Sequence, residues 1–259
     1  MNPVRRWLEH GPLLADGAWG TELQRLGLAP GECADAWNLT HPDRVEAVAR
    51  SYVEAGSRII LTNTFQANAV SLAAHCLEDR VAELNAAGVA ISKRAAAGAA
   101  KVIASIGPCG DEVALLAQAE ALAAAGADAL LLETFTDLTE ARIALSAAKR
   151  TGLPVIVSFA FVGTLTPEET VSAMRDAGAD AVGANCGGEI DEFPAICARF
   201  AASCDLPLWM KPSAGTRQIV SAREFASQIR ELVAAGAGIV GGCCGTAPEY
   251  IAAIRENIF

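Results

Sequence analysis

Two adjacent cysteines, Cys243 and Cys244, lie within the glycine-rich segment GGCCGT, and a third, Cys186, follows the apolar segment AVGAN. Cysteine thiolates are ligands for Zn²⁺, which proteins bind with tetrahedral geometry. Neighbouring residues of a regular strand point to opposite faces, so both adjacent cysteines can bind one metal only if the backbone leaves β geometry there. The surrounding glycines permit that departure, because glycine adopts φ values that other residues avoid.

The compartment of the protein bears on the other cysteines. Residues 1–12 lack the uninterrupted apolar core of a secretory signal, and no apolar stretch reaches about 18 residues. We therefore expect a cytoplasmic protein, in whose reducing environment the eight cysteines form no disulfide framework. Five cysteines outside the two motifs are expected to be small buried hydrophobes. They are Cys33, Cys76, Cys109, Cys197 and Cys204.

Composition limits the classes of partner. The chain has 259 residues, of which 52% are hydrophobic, and this is enough for a large core. Its net charge is −10, and it has no cluster of Lys and Arg. Neither a nucleic acid nor an anionic membrane surface is therefore expected as a partner, which leaves small molecules and other proteins.

A pattern of helix, glycine stop and buried strand recurs along the chain. The plain copies are Glu54–Thr64, Ala124–Thr134, Asp176–Cys186 and Ala234–Cys244. Four weaker segments have the continuous apolar character of a parallel strand that is covered on both faces. They lie near Leu14, Ile103, Ile156 and Trp209. The stretches between the strands carry helical periodicity, as in Asp43–Ala55 and Glu112–Ala125.

Eight strands that alternate with helices over about 250 residues are typical of a (β/α)8 TIM barrel. An open doubly wound sheet is the alternative, but no GxGxxG motif of the dinucleotide-binding type follows the first strand. No linker or low-complexity segment divides the chain, so residues 1–259 are predicted to form one barrel domain. Its chemistry is expected at the carboxyl ends of the strands.

The residues at those strand ends include three cysteines on one face of the barrel. The full set is Asp16, Thr62, Asn63, Glu133, Asn185, Cys186, Lys211, Cys243 and Cys244. Strands six and eight are second neighbours in a barrel, so side chains from both can reach a common Zn²⁺.

Six motifs at these ends together resemble the homocysteine S-methyltransferase family, over essentially the whole barrel. They are DGAWGTELQRLG (Asp16–Gly27), AGSRIILTNTFQAN (Ala55–Asn68), LLLETFTDLTEA (Leu130–Ala141), VGANCGG (Val182–Gly188), KPSAG (Lys211–Gly215) and VGGCCGTAPEYI (Val240–Ile251). The last two are most similar to the homocysteine-binding module of cobalamin-dependent methionine synthase.

The resemblance implies that Cys186, Cys243 and Cys244 bind Zn²⁺ as the cofactor and leave its fourth position for the thiol of L-homocysteine. The implied reaction transfers a methyl group to that thiol and gives methionine, with no catalytic residue beyond the zinc site. Zinc suits this chemistry because it promotes deprotonation of a bound thiol, and only the thiolate attacks a methyl group efficiently. Asn185, next to the first zinc ligand, is expected to orient that ligand or the substrate.

The resemblance also implies that Asp16 and Glu133 hold the ammonium group of the substrate by charge-assisted hydrogen bonds. For each of them a surface carboxylate or a helix N-cap is the alternative role. The backbone amides of Gly17 and Ala18, together with the hydroxyl of Thr62, are expected to bind the substrate carboxylate.

Betaine is disfavoured as the methyl donor, because betaine enzymes of the family enclose its trimethylammonium group with aromatic side chains. Gln66 and Thr134 stand where those enzymes have tyrosines, and Trp37 alone stands at a matching place. The loops after Ser105–Gly110 and after KPSAGTRQ (residues 211–218) are shorter than is usual in the family. The donors that remain are a methylated corrinoid, which we expect to arrive on another protein, and S-methylmethionine.

Two functions of other classes stay open. A zinc-storage or structural-zinc barrel needs a fourth protein ligand, and His10, His41 and His75 are expected at the surface or at helix caps. A phosphate-binding barrel enzyme would use the glycine-rich turn after strand eight to cradle an anion. Removal of zinc distinguishes this second alternative, because such an enzyme keeps its activity without the metal.

Overall fold

Eight parallel strands form the sheet in the computed structural model, which describes residues 2–215 and 219–259. The strands are β1 (Leu13–Leu14), β2 (Ile59–Leu61), β3 (Lys101–Ile106), β4 (Ala129–Phe135), β5 (Val155–Phe159), β6 (Ala181–Asn185), β7 (Leu208–Lys211) and β8 (Ile239–Val240). All eight predicted strands are present. Residues 216–218, at the end of the segment KPSAGTRQ that precedes the second predicted short loop, lie outside the described residues.

The strand order closes the sheet into a barrel. It runs β1-β8-β7-β6-β5-β4-β3-β2, and every pairing is parallel. At the seam between β1 and β2, the Arg58 amide donates to the Leu14 carbonyl at 2.7 Å, and the Leu61 amide donates to the Asp16 carboxylate at 2.7 Å. The result is the predicted (β/α)8 barrel, nearly closed. The open doubly wound sheet is excluded, because its strand order departs from the order of the sequence.

Helices surround the strands in the described residues. They are α1 (Pro3–Trp7), α2 (Trp19–Arg25), α3 (Trp37–Thr40), α4 (Pro42–Ala55), α5 (Ala69–Ala73), α6 (Val81–Ala96), α7 (Glu112–Ala124), α8 (Leu138–Lys149), α9 (Pro167–Asp176), α10 (Phe193–Ser203), α11 (Ala222–Ala234) and α12 (Pro248–Ile258), with 3₁₀ helices at Glu78–Arg80 and Ile190–Glu192. The two helices predicted from periodicity are confirmed as α4 and α7. None of the described helices is both long and apolar enough to cross a membrane.

Helix α4 shows how local sequence sets these boundaries. Pro42 occupies its first turn, where the missing N–H costs no helical hydrogen bond. Gly56 ends it with a left-handed φ of 115°, which is the glycine stop that the sequence predicts.

The strands are buried on both faces, which explains their continuous apolar character. Ile103, Leu131, Ile156 and Trp209 belong to an apolar cluster inside the barrel. The alternate residues, such as Leu130, pack in the larger cluster beneath the helices. Because the strands are packed on both faces, they hold the residues at their carboxyl ends in fixed positions.

The five cysteines expected to be buried differ from one another. Cys197 is buried, whereas Cys33, Cys109 and Cys204 are partly buried. The prediction is wrong for Cys76, which is exposed in the turn after α5 at a φ of 54°.

Candidate metal and substrate site

A buried polar layer lies above the apolar interior of the barrel. It consists of Ser105, Glu133, Ser158, Asn185 and Lys211, each two residues beyond an inward-facing residue of its own strand. All five side chains are buried. Buried polar groups need hydrogen-bond partners, so the contacts within this layer determine which groups stay free for a substrate.

The three predicted metal ligands come together beside this layer. The sulfur of Cys186 lies 2.8 Å from that of Cys243 and 3.4 Å from that of Cys244, and all three sulfurs lie within 4.8 Å of one another. Tetrahedral zinc with Zn–S bonds of about 2.3 Å needs sulfurs just under ~4 Å apart. The donor set therefore fits Zn²⁺, with the sulfurs of Cys186 and Cys243 closer together than a bound ion would hold them. The hydroxyl of Ser213 also donates to the sulfur of Cys186, at 3.3 Å.

The backbone leaves β geometry at the paired cysteines, as the sequence predicts. Strand β8 ends at Val240, and Gly245 adopts a φ of 78° in the turn that follows. Gly241 and Gly242 are needed for another reason, because neighbouring groups lie too close to them for a side chain to fit. A Cβ on Gly241 would lie 2.7 Å from the carbonyl oxygen of Asp16, and one on Gly242 would overlap the side chain of Thr246.

The cluster favours a negative charge on one sulfur. Hydrogen bonds from the thiols of Cys243 and Cys244 lower the pKa of the Cys186 thiol far below its usual range. The same shared hydrogen bonding, together with burial, raises the pKa of Cys243 well above its usual range. A cation bound by the three sulfurs would lower the pKa of all three thiols together, because its charge stabilises each of them as a thiolate.

Asn185 connects the metal ligands to the neighbouring strands. Its side-chain oxygen accepts from the Ser158 hydroxyl at 2.5 Å and from the Thr134 amide at 3.2 Å. Its side-chain nitrogen donates to the Thr134 hydroxyl at 2.7 Å and lies 3.8 Å from the sulfur of Cys243. The contact is thus with Cys243, and not with the adjacent Cys186. Thr134 has a φ of 63°, an uncommon conformation for a β-branched residue.

Asp16 is occupied by the protein itself. One carboxylate oxygen accepts from Lys211 Nζ at 2.6 Å, and the other accepts from Trp19 Nε1 and from the Leu61 amide, each at 2.7 Å. Its side chain is fully buried and does not line the cavity above the cysteines. Asp16 thus accepts three hydrogen bonds within the protein, and its expected contact with an ammonium group stays a prediction.

Glu133 does face the cavity. One of its oxygens accepts from the Ser105 hydroxyl at 2.8 Å, and within the described residues the other oxygen has no hydrogen-bond donor. Burial raises the pKa of Glu133, although the charge of Lys211 and the Ser105 hydrogen bond oppose the shift. Glu133 therefore presents to the cavity an oxygen that can accept a hydrogen bond from a substrate.

Two of the three groups predicted to bind a carboxylate are engaged. The Ala18 amide donates to the Thr246 carbonyl at 2.9 Å. The Thr62 hydroxyl lies 2.5 Å from the Thr64 hydroxyl, which itself donates to the Ser105 carbonyl at 2.8 Å, so the Thr62 proton points to Thr64. The Gly17 amide makes no hydrogen bond within the described part of the chain.

A cavity of about 330 Å³ opens over the cysteines. Its walls combine apolar groups with a few polar ones. They include Gly17, Ala18, Trp19, Asp35, Thr62, Phe65, Gln66, Ser105, Glu133, Thr134, Lys211 and the three cysteines. Trp37, the aromatic residue considered for a betaine cage, lies outside this lining, buried in the core with Nε1 2.7 Å from Glu32.

Sequence reasoning gave no role to Lys211, Ser105 or Asp35. A signal existed for Lys211, because a lysine at the end of an apolar strand is buried and needs a carboxylate. Asp35 carried no such signal. It is 4% exposed, and burial raises its pKa to about 6, with one carboxylate oxygen accepting from the Gln66 amide at 3.2 Å.

Comparison with known proteins agrees with this site. The homocysteine S-methyltransferase family model matches residues 13–258. Methionine synthase from Mycobacterium tuberculosis is 29% identical over 95% of the chain, and the chain spans about a quarter of that relative, 24% of its length. The oxidized form of the Escherichia coli homocysteine methyltransferase MmuM superposes with a TM-score of 0.86 at 25% identity, covering 99% of both chains.

The metallated form of the same Escherichia coli enzyme superposes with a TM-score of 0.85, also at 25% identity, over 98% of this chain and 99% of that one. The barrel, the gathered cysteines and the family match over almost the whole chain lead to one conclusion. The chain belongs to the homocysteine S-methyltransferase family.

Proposed function

We propose that this protein transfers a methyl group to the thiol of L-homocysteine and forms methionine, with one Zn²⁺ held by Cys186, Cys243 and Cys244. The observation that carries the proposal is a three-sulfur cluster open to a cavity. Within the described residues, no histidine, carboxylate or further cysteine joins this cluster as a fourth ligand. Three protein ligands with an open position are typical of catalytic zinc, whereas structural zinc has four.

The side chains around the cluster have separable tasks in this proposal. Asn185 holds Cys243 in place through its contacts with two neighbouring strands. Trp19 and Phe65 line the cavity and limit the access of water to the sulfurs. Zn²⁺ bound by the three cysteines would supply the lowered pKa of an acceptor thiol.

The methyl donor in this proposal is not betaine. Gln66 and Thr134 line the cavity at the positions where an aromatic cage is expected, and Trp37 is buried away from it. A methylated corrinoid carried by another protein is the first candidate donor, and S-methylmethionine is the second. Both present a methyl group with a good leaving group, as attack by a thiolate requires.

The remaining expectations form part of the same proposal. Residues 1–259 act as one barrel domain, the protein works in the cytoplasm, and its substrate is a small molecule. The net charge of −10 supports the expectation that neither nucleic acid nor a membrane surface is a partner.

The phosphate-binding alternative has less support, because the amides of the turn after β8 are already engaged. The Gly242 amide donates to the Asp16 carbonyl at 3.0 Å, and the Cys243 amide donates to the Pro212 carbonyl at 2.8 Å. The Gly245 amide donates to the hydroxyl of Thr21 at 3.3 Å. A turn whose amides point into the protein does not cradle an anion.

The decisive experiment follows methionine formation from homocysteine by the zinc-loaded protein, with methylcobalamin, a methylated corrinoid protein, S-methylmethionine and betaine as separate donors. We expect turnover with a corrinoid or sulfonium donor and none with betaine. Cys244→Ser should abolish turnover, whereas Cys76→Ser, at an exposed cysteine outside the cluster, should keep it. Turnover with none of the donors would overturn the proposed function.

A further inference from the structure

A second cavity opens at the opposite end of the barrel, where the strands begin. Its volume is about 570 Å³, against about 330 Å³ for the cavity over the cysteines. It lies between α1, the starts of β2 and β3, and the end of α6, and its walls include Trp7, Arg58, Lys93, Lys101 and Asp128. We call it the amino-end cavity. It shares no lining residue with the cysteine site.

The amino-end cavity is positive in an acidic protein. Three cations and one acid line it, although the chain as a whole has a net charge of −10. The acid, Asp128, is fully engaged, because one oxygen accepts from Lys93 Nζ and the other from the Val102 amide, each at 2.7 Å. Arg58 and Lys101 form no ion pair in the part of the chain that the structure describes. The cavity therefore has a local excess of two positive charges.

The side-chain donors of these two cations are unused. Arg58 is exposed, and its guanidinium makes no hydrogen bond within residues 2–215 and 219–259. The Lys101 ammonium lies 4.9 Å from the centre of the Trp7 ring, a cation–π contact that occupies none of its N–H groups. The two residues are neighbours on adjacent strands, since the Lys101 amide donates to the Arg58 carbonyl at 2.9 Å. Both can therefore donate to one anion.

The ordinary roles of cations at this end of a barrel do not account for Arg58 and Lys101. Helices end here, and a basic residue in the last turn of a helix offsets the helix dipole, as Lys93 does in α6. Lys93 also neutralises an acid at the start of a strand, Asp128. Arg58 and Lys101 stand at strand starts, where no helix ends on them and no acid faces them in the described residues.

We propose that the amino-end cavity binds a small organic dianion of the phosphate-ester class, with Arg58 and Lys101 donating to the phosphate and Trp7 forming a wall for the organic part. A dianion balances the excess of two charges. The guanidinium fork matches the geometry of phosphate oxygens, and the ammonium adds a point charge. The cavity is larger than a bare phosphate needs, which favours an ester. This site goes beyond the proposed methyl transfer and does not depend on it.

The position of the amino-end cavity gives such a ligand an effect on stability. Leu13 of β1 and Arg58 at the start of β2 both line it, so it spans the seam where the barrel closes. Across that seam the Arg58 amide donates to the Leu14 carbonyl at 2.7 Å. A ligand that binds only the closed barrel stabilises it against unfolding, and the unfolding midpoint rises with the ligand concentration.

Calorimetry and thermal unfolding at constant, low ionic strength test this site with phenyl phosphate, inorganic phosphate and succinate. We expect phenyl phosphate to bind and to raise the unfolding midpoint, and inorganic phosphate to bind more weakly because it lacks the organic part. Succinate should bind most weakly, because its two charges lie on separate groups. The net charge of −10 opposes unspecific binding of all three anions, so binding reports a built site.

Four variants locate the site. Arg58→Gln and Lys101→Met should each weaken phenyl phosphate about tenfold to a hundredfold, because each removes charge-assisted hydrogen bonds. Arg58 is exposed, so Arg58→Gln tests the site even where Lys101→Met lowers stability. Lys149→Met removes a cation from the same end of the barrel that is paired with Asp180, and it should change nothing. Cys244→Ser should also leave the affinity unchanged, which separates this site from the cysteine site.

Several results would overturn the assignment. They are no binding of either phosphate to the wild type at about 10 mM, unchanged affinity in Arg58→Gln and Lys101→Met, and equal weakening by Lys149→Met. Tighter binding of succinate than of phenyl phosphate would overturn the phosphate-ester class. None of these results bears on methyl transfer, which is measured separately with the donor panel.

Discussion

The carboxylate of Asp16 lies 2.6 Å from the ammonium group of Lys211, and the two side chains are 0% and 1% exposed. Moving two charges out of water is costly, so such a pair persists only with good geometry and additional hydrogen bonds. Here Trp19 and the Leu61 amide supply those bonds to Asp16. The pair therefore ties β1 to β7 and, through Leu61, to β2, directly beneath the cavity.

Lys211→Met should destabilise the fold by about 3 to 5 kcal/mol, because it leaves Asp16 buried without its counter-charge. Adding Asp16→Asn should recover part of that loss. Urea unfolding at constant zinc concentration measures both. As a control, Lys149→Met breaks a partly exposed ion pair with Asp180 and should cost at most about 1 kcal/mol. A double variant that is less stable than the single one would contradict the explanation.

The cysteine cluster should hold about one zinc per chain when the protein is purified without chelator. Cys186→Ser and Cys244→Ser should each lose most of this zinc, because two sulfurs and a hydroxyl bind it far more weakly. Elemental analysis gives the stoichiometry, and Cys76→Ser should retain the full amount. Unchanged zinc in both cluster variants would rule out this site.

Asn185→Ala should weaken zinc binding about tenfold to a hundredfold, because Asn185 holds Cys243 without being a ligand. Competition with a chromophoric chelator measures the affinity. Asn63→Ala is the matched control, since Asn63 is also a buried asparagine at a strand end but bonds to Ala34 and Asn38. Equal effects of the two variants would show that the Asn185 effect is one of general stability.

Asp35 should make the protein less stable as pH rises through the weakly acidic range. Burial raises the pKa of Asp35 from its usual value near 4 to about 6, so the folded state binds the proton more tightly than the unfolded state. Its contribution to stability is therefore full below about pH 4 and is lost between about pH 4 and about pH 6.

Asp35→Asn removes this loss while the amide of Gln66 keeps an oxygen acceptor. The variant should be more stable than the wild type by about 2 to 3 kcal/mol at about pH 7.5, and equally stable at about pH 4. Urea unfolding at the two pH values is the measurement. A gain of the same size at both pH values would mean that the titration of Asp35 is not its cause.

The sequence predicts the eight strands and the meeting of the three cysteines because both depend on local or near-neighbour information. Most of the strands are apolar runs that follow a glycine stop, and the cysteines stand at ends that any closed barrel brings together. The hydrogen bonding of the Asp16 carboxylate depends instead on Lys211, which lies 195 residues away in the sequence. It also depends on the register of β7, which points the Lys211 side chain into the barrel. No residue near Asp16 in the sequence indicates that contact.

For the same reason, the sequence does not predict the hydrogen-bond partners of the other protein groups that are expected to bind the substrate. The Ala18 amide is used by Thr246, and the Thr62 hydroxyl belongs to a chain that ends on the carbonyl of Ser105. Such partners are assigned only when the barrel has closed, because they come from strands and turns distant in sequence. It is thus easier to predict which polar residues stand at a site than to predict which of their donors and acceptors are free to bind a substrate.

The position of the paired cysteines also sets an order of events during folding. They follow β8, which pairs with β7, and Cys186 follows β6, which also pairs with β7, so the three sulfurs gather once the last three strands have paired. The pairing of β8 with β1, by contrast, joins residues more than two hundred positions apart, and contacts of such sequence separation form slowly. Capture of zinc by a refolding chain therefore measures the assembly of β6, β7 and β8 and does not require that the barrel has closed.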